Sequence, residues 1–241
     1  MVFVDLDYTI MRSAIETVVT PVVEGEIAQK TGKTITELDQ LITAELARRH
    51  GDPSLPVTVK MDWDDIFRTI ADKLGIQLQS SPSQAIQAYI GTPQMSLYEG
   101  VCEVLHELST PERAVIVATD GLCKFQIPIL QGFDLISHFN EVLTPDSSNA
   151  LKKAIEFYGD WPSKTNLQIM VGDRYKDDIA PAKKFGFKAI WTLQSLCNIN
   201  PFERPDMFHW ITEEQQSQPD AIIFSLKELP SVVTDLERKY L

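Results

Sequence analysis

Short, unbroken apolar runs recur along the chain and predict buried strands. They lack the alternation of a half-buried strand, so they are typical of strands that are covered on both faces. Helical patterns lie between them, at residues 101–108, 151–158 and 179–185. Because strand and helix alternate, we expect a mainly parallel sheet with helices on its faces. The predicted strands are residues 2–4, 114–118, 141–144, 168–171, 187–191 and 221–224.

One long stretch after the first strand breaks the alternation and contains only helix signals. Thr34 and Glu37 form a capping box before an apolar stripe, and Asp62 offers the N-cap of a second amphipathic helix. Ligands of open α/β sheets bind beyond the carboxyl ends of the strands, so an insertion at this point should lie over the ligand site. The predicted division is a helical insertion, residues 14–95, and a core, residues 1–13 with 96–241.

Composition and charge limit the partners and the location that we expect for the protein. The chain has 241 residues, 22 Lys+Arg against 34 Asp+Glu, and a net charge of -12. With no excess of basic residues to neutralise phosphates or anionic lipids, we expect neither a nucleic-acid partner nor a membrane surface. The three cysteines, Cys102, Cys123 and Cys197, form no metal or disulfide pattern. No leader or long apolar run is evident, so the expected location is the cytoplasm.

A pair of carboxylates follows the first predicted strand directly. Asp5 and Asp7 are two residues apart, and alternate residues at a strand end point the same way, so both can face one ligand. Solvated turn aspartates are the plainer interpretation of this pair alone. A calcium loop of the EF-hand type is excluded, because Ile10 occupies its glycine position and a strand precedes it.

A second acidic group follows the strand at 168–171. Asp173 stands at the strand end, and Asp177 and Asp178 open the next helix, where acids also complement the helix dipole. If this strand lies beside the first, four or five carboxylates meet in one crevice and require a cation. Oxygen ligands of this kind indicate Mg²⁺.

Two further segments offer groups that could hold a phosphate. Thr119 ends the strand at 114–118 and precedes a polar turn with Gly121, whose N–H could bind an anion. Lys152 and Lys153 follow the strand at 141–144, and either could reach the crevice. An ordinary strand end and a solvated lysine pair are the plainer interpretations of these features taken singly.

In chain order, Asp-x-Asp-x-Thr at 5–9, Thr119, a lysine at 152 or 153 and Gly-Asp-x-x-x-Asp-Asp at 172–178 resemble the four motifs of the haloacid dehalogenase-like hydrolase superfamily. The helical insertion is similar to the C1 cap of that superfamily. The resemblance implies an α/β fold, with a doubly wound, mainly parallel, Rossmann-like core and an inserted all-helical cap domain. It also implies a Mg²⁺-dependent phosphatase acting on a small phosphorylated metabolite.

The resemblance implies a role for each motif residue. Asp5 would be the nucleophile that forms an aspartyl-phosphate, and Asp7 the general acid and base. Thr119 would hold the phosphoryl oxygens, and Lys152 or Lys153 would neutralise charge and orient Asp5. The implied Mg²⁺ ligands are Asp5, Asp173, the main-chain carbonyl of Asp7, and Asp178 directly or through water.

The sequence also departs from the family pattern. Tyr8 replaces a common glycine or asparagine, no proline follows the lysine, and Asp120 puts an additional negative charge near the expected phosphate. A phosphoryl mutase of the same superfamily would carry the same motifs. A receiver-like signalling domain would use similar groups, but it places its acidic pair first and lacks a helical insertion there.

Several matters stay open at the level of sequence. The oligomeric state and the particular substrate are not predicted, and the long segment 193–219 has no evident function. Substrate contacts in the insertion could come from several side chains that the sequence does not rank: Arg48, Arg49, His50, Lys60, Trp63 and Arg68.

Overall fold

In a computed structural model of the chain, which describes residues 1–194 and 219–241, the described residues form one parallel sheet. Its six strands stand in the order β3-β2-β1-β4-β5-β6. Each neighbouring pair is parallel, as the alternation of strand and helix predicts. The strands are β1 (Val2–Val4), β2 (Val115–Ala118), β3 (Glu141–Leu143), β4 (Ile169–Gly172), β5 (Lys188–Thr192) and β6 (Ala221–Ile223).

The first strand lies at the centre of the sheet. Val4 is level with Val117 of β2 on one side and with Val171 of β4 on the other. Val2 and Val4 belong to the hydrophobic cluster on one face, while Phe3 belongs to the cluster on the other. The sheet is therefore covered on both faces, which confirms the doubly wound α/β core.

The regular elements between β1 and the core helix Val101–Leu108 are all helices. A π-helical turn, Ile15–Glu24, leads into α1. The capping box of Thr34 and Glu37 and the N-cap of Asp62 both form as predicted. The helices are α1 (Gly25–Thr31), α2 (Ile35–Gly51), α3 (Val57–Lys60), α4 (Trp63–Lys73) and α5 (Pro82–Tyr89).

The remaining helices return the chain to the core. The described helices are α6 (Val101–Leu108), α7 (Cys123–Gly132), α8 (Pro145–Ser148), α9 (Ala180–Lys184) and α10 (Leu229–Tyr240). None of the helices in the described ranges is long and apolar enough to cross a membrane.

The prediction of a helix over residues 151–158 is wrong. Lys152 lies in a turn, Ala154 is extended, and only a short 3-10 helix, Ile155–Tyr158, follows. The N–H of Lys152 donates to the carboxylate of Asp120 over 2.9 Å, so it is not used in a helix. The segment 193–219, for which no function is predicted, lies almost entirely outside the described residues.

Candidate active site

The predicted chemical groups meet at the carboxyl edge of the sheet. Asp5 follows β1, Thr119 follows β2 and Asp173 follows β4, and these three strands are adjacent. The N–H of Asp5 donates to the carbonyl of Val171 over 2.9 Å, which extends the ladder by one residue. Lys152 comes from the turn region after β3. The sheet order therefore brings four sequence motifs to one place.

The turn after β1 gives Asp7 its position. The backbone of Tyr8 is left-handed, with φ of 58°, a conformation that costs a bulky residue energy and that glycine or asparagine adopts more readily. The N–H of Tyr8 donates to the carbonyl of Met11 over 2.6 Å, and its hydroxyl donates to Glu16 over 2.5 Å. These contacts hold Tyr8 at the position where the sequence departs from the family pattern.

Lys152 is buried between two carboxylates. Its Nζ lies 2.6 Å from Asp5 Oδ1 and 2.6 Å from Asp178 Oδ1, whereas Lys153 is exposed. The two negative charges hold the pKa of Lys152 well above its usual range against the opposing effect of burial. The structure thus distinguishes the two lysines that the sequence left open, and it places a permanent positive charge beside Asp5.

Asp5 is buried, and burial is the main reason that its pKa is raised. Lys152 acts in the opposite direction and favours the charged form, while the charges of Asp178 and Asp173 raise the pKa further. A carboxylate in this setting is poorly hydrated and paired with one cation. Such a group is a better nucleophile than a fully solvated carboxylate.

Three carboxylates form a cluster that fits a divalent cation. Asp5, Asp173 and Asp178 each offer an oxygen, and these oxygens lie within 4.8 Å of one another. Oδ1 of Asp173 is buried without a hydrogen-bond partner. Burial and the charge of Asp178 raise the pKa of Asp173 to about 7. An all-oxygen set that includes an unpartnered buried atom suits a hard divalent cation.

Close packing fixes Asp178 in this cluster. Its Oδ2 accepts from the N–H of Arg174 over 2.9 Å, and its Oδ1 contacts Lys152. A Cβ at Gly172 would lie 2.3 Å from Cγ of Asp178, so only glycine permits this approach. Because both oxygens of Asp178 already have partners, Asp173 is the carboxylate more available for direct coordination.

The side chain of Asp7 lies apart from the cluster. Its Oδ2 accepts from Nε2 of Gln126 over 3.3 Å, and Ser13 also hydrogen-bonds to it. Burial raises the pKa of Asp7, and these two hydrogen bonds only partly oppose that effect. A raised pKa favours the protonated form of a carboxyl group, which a general acid requires.

The turn after β2 also contributes groups to the site. Oγ1 of Thr119, which is buried, accepts from the N–H of Gly121 over 3.1 Å. Asp120 borders the cleft, and its Oδ1 accepts from the N–H of Lys152. Burial is the main cause that raises the pKa of Asp120. Asp120 therefore also holds the turn that carries the lysine.

Of these groups, Asp5, Asp7, Thr119, Asp120 and Lys152 border a cleft of about 290 Å³ between the sheet edge and the inserted helices. The sequence did not predict its further lining residues, which include Gln126, Met61 and Ile86. Gln126 packs closely on the turn after β2, because a Cβ at Gly121 would lie 2.1 Å from Nε2 of its side chain. Glycine is common in polar turns of every kind, so Gly121 in the sequence indicates no particular contacting residue.

A family model described as haloacid dehalogenase-like hydrolase matches residues 51–192. The match covers more than half of the chain, so this protein belongs to the haloacid dehalogenase-like hydrolases, a family of enzymes. The matched range begins after Asp5 and Asp7, whose placement rests on the geometry described above. Comparison of the sequence with curated proteins finds no match.

Solved structures of this family share the fold along nearly the full length of the chain. A phosphatase from Thermococcus onnurineus has a TM-score of 0.67 at 21% identity and covers 96% of each chain. An L-2-haloacid dehalogenase from Xanthobacter autotrophicus has a TM-score of 0.65 at 15% identity over 97% of each chain. A 2-haloacid dehalogenase from Pseudomonas syringae has a TM-score of 0.64 at 21% identity over 98% of each. At these identities the comparison establishes the fold alone.

Proposed function

We propose that this hydrolase is a Mg²⁺-dependent phosphomonoesterase that acts on a small phosphorylated metabolite. The observation that carries the proposal is the second carboxylate. Asp7 borders the cleft beside Asp5, yet it stands outside the metal-fitting cluster and has a raised pKa. A leaving alkoxide needs a proton, and Asp7 is placed to supply it. The residues 14–95 would serve as the cap of this site.

The proposed reaction has two steps. One oxygen of Asp5 attacks phosphorus, the bond from phosphorus to the leaving oxygen breaks, and Asp7 donates its proton to that oxygen. Asp7, now charged, then takes a proton from a water molecule that attacks the phosphorus of the aspartyl-phosphate. The bond from phosphorus to Asp5 breaks, which releases phosphate and restores both carboxyl groups.

Other residues of the site would stabilise charge during both steps. The hydroxyl of Thr119 and the N–H groups of its turn would bind phosphoryl oxygens, while Lys152 orients Asp5 and offsets negative charge. Asp5, Asp173 and Asp178, with the main-chain carbonyl of Asp7, would hold Mg²⁺. When bound, the ion would neutralise charge on the substrate and on these carboxylates.

A haloacid dehalogenase is the natural rival, because such enzymes share the fold. A halide leaves as an anion and takes no proton, so the first step of dehalogenation needs no general acid, the role that we propose for Asp7. A phosphoryl mutase could use every group proposed here. It would return the phosphoryl group to a second substrate hydroxyl and release little free phosphate.

An assay of released product tests the proposal. Wild-type protein with phenyl phosphate and Mg²⁺ should release inorganic phosphate, and Asp5→Asn should abolish release while the thermal unfolding temperature is maintained. Asp39→Asn, a change on an exposed face of α2, is the matched control and should keep full activity. Halide release from 2-chloropropionate without phosphate release, or equal turnover by Asp5→Asn, would refute the proposal.

A further inference from the structure

The cleft has two chemically different sides. The sheet edge contributes the carboxylates, Thr119 and Lys152. The other wall, from several parts of the insertion and from α7, consists mainly of apolar side chains. These are Ile15, Met61, Trp63, Ile86, Phe125 and Ile129.

Three arginines of the inserted helices are paired with acids of the insertion. Arg49 is buried, with its guanidinium 2.8 Å from both Glu45 and Asp65. Arg48 pairs with the same Glu45 over 2.6 Å, and Arg68 pairs with the same Asp65. These contacts engage three of the side chains that the sequence offers as substrate contacts.

The cations that border the cleft, among the residues the structure describes, lie on its polar side. They are Lys152, which is held by Asp5 and Asp178, and Arg174, which pairs with Asp177 over 2.8 Å. The apolar wall therefore offers no positive charge to a second phosphate or a carboxylate. Desolvating such an anion against this wall would cost binding energy.

Trp63 is the aromatic side chain of the insertion that borders the cleft. It is the first residue of α4, whose N-cap, Asp62, accepts from the N–H of Asp64 over 3.0 Å. Its ring packs against Phe67 with centroids 6.1 Å apart. The partly exposed indole thus has a fixed position from which it can cover an apolar ligand.

The polar groups near this wall are already in use. The Tyr8 hydroxyl donates to Glu16, and both Ser13 and Nε2 of Gln126 hydrogen-bond to Asp7. Oε1 of Gln126 is buried without a partner. A polyhydroxylated leaving group would find one free acceptor here and would leave most of its own hydroxyls unpaired.

The size of the cleft limits the ligand further. At about 290 Å³, it lies at the lower end of the range of roughly 300–1,000 Å³ that is common for small-molecule sites. Part of that space must hold the phosphoryl group. A single ring or a short aliphatic chain therefore fits inside the cleft, whereas a nucleotide or a disaccharide phosphate would extend beyond it.

We infer that the substrate is a compact phosphomonoester whose leaving group is uncharged and apolar or aromatic, and that Trp63 determines this specificity. The inference rests on the proposed phosphatase function, which it makes more specific. The phosphoryl group would lie at Thr119 and Lys152, with the leaving group against the apolar wall.

Binding of non-hydrolysable phosphonates tests the inference without turnover. Benzylphosphonate should bind to the wild-type protein in Mg²⁺ at least about tenfold more tightly than phosphonoacetate, measured by titration calorimetry. Trp63→Ala should remove most of this preference and leave the affinity for inorganic phosphate unchanged. Trp63→Leu provides a second variant if the alanine change lowers the unfolding temperature. Trp161→Ala, a change outside the cleft, is the matched control and should retain the preference.

The outcomes separate this inference from the proposed function. Equal or tighter binding of phosphonoacetate by the wild type, or an unchanged preference in both Trp63 variants, would overturn the specificity. A retained preference for benzylphosphonate without phosphate release from benzyl phosphate would support the apolar specificity and refute the phosphatase reaction. Turnover of benzyl phosphate that is no faster than turnover of glucose 6-phosphate would overturn the specificity alone.

Discussion

The side chain of Lys152 illustrates how much one residue contributes to this site. It is 3% exposed and pairs with two buried carboxylates, Asp5 directly after β1 and Asp178 in the helical segment that follows β4. Buried charges persist in proteins when they are paired, and removal of one partner leaves the others uncompensated. Lys153, its neighbour in the chain, is exposed and provides a natural comparison.

Replacing each lysine by methionine should separate catalysis from surface charge. We expect Lys152→Met to lower kcat at least about 100-fold, because the site loses its charge stabilisation. It should also lower the unfolding temperature, since Asp5 and Asp178 would then repel each other without a counter-charge. Lys153→Met should leave both quantities unchanged. Steady-state kinetics and thermal unfolding measure them, and a larger kinetic loss in Lys153→Met would contradict the assignment.

The site residues that follow strand ends were predictable from the sequence. Asp5, Asp7, Thr119 and Asp173 follow buried apolar runs directly, so their common location follows from a parallel sheet. Gln126 contacts Asp7 across 119 positions of the chain, and this contact depends on how α7 packs. No local pattern encodes such a contact, which is why the sequence did not reveal it.

Two helices that contribute lining residues to the cleft, α4 and α7, are joined through one lysine. Nζ of Lys124, on α7, lies 2.6 Å from Asp62 and 2.8 Å from Asp64 at the start of α4. These acids flank Trp63 in the chain. The link between α4 and α7 thus consists of two ion pairs that are partly exposed to solvent. Such contacts are weak, and salt weakens them further.

Removing this link should weaken substrate binding more than catalysis. We expect Lys124→Met to raise KM by about threefold to tenfold with little change in kcat, because α4 and Trp63 lose their fixed position. Added salt should raise KM less in the variant than in the wild type. Lys227→Met, which removes a comparable exposed pair with Glu99 over 2.6 Å, is the control. A fall in kcat at unchanged KM would contradict this role.

At the level of elements, strands and helix caps were predictable from local chemistry. The capping box at Thr34 and the N-cap at Asp62 depend only on neighbouring residues, and both form. The region 151–158 has a helical pattern, yet the carboxylate of Asp120, 32 positions away, takes the N–H of Lys152. A tertiary contact therefore overrides a local preference there.

For the whole molecule, the acidic cluster links stability to pH. The pKa of Asp173 is raised to about 7, above the value of about 3.9 for an unfolded chain. The metal-free folded protein therefore binds more protons than the unfolded chain between these values. Its stability should fall as pH rises through that window, and the loss should be complete above about pH 7.

Removing the charge of Asp173 should stabilise the metal-free protein at about pH 8. Asp173→Asn should gain on the order of 2 kcal/mol after allowance for solvent screening, which corresponds to an increase of about 4–8 °C in Tm. It should also lose most of the stabilisation by Mg²⁺. Asp177→Asn is the control from the same segment. A lower Tm of metal-free Asp173→Asn at about pH 8 would contradict the account.

The same cluster explains how an acidic protein can bind phosphate. The chain carries a net charge of -12, so a phosphate ligand would need a local cation. Lys152 supplies one positive charge, and the three carboxylates fit a second. The order of the strands, with β1 between β2 and β4, makes this arrangement possible. That order is a property of the whole fold, and it is not contained in any single motif.

In the proposed reaction, Asp5 carries the phosphoryl group and Asp7 transfers the proton. An aryl phosphate with a good leaving group needs little help from an acid, so Asp7→Asn should complete the first step and stall at the second. Mass spectrometry of acid-quenched Asp7→Asn with 4-nitrophenyl phosphate and Mg²⁺ should therefore show one added phosphoryl group, on the peptide that contains Asp5. Absence of this adduct, or its presence on another residue, would contradict the account.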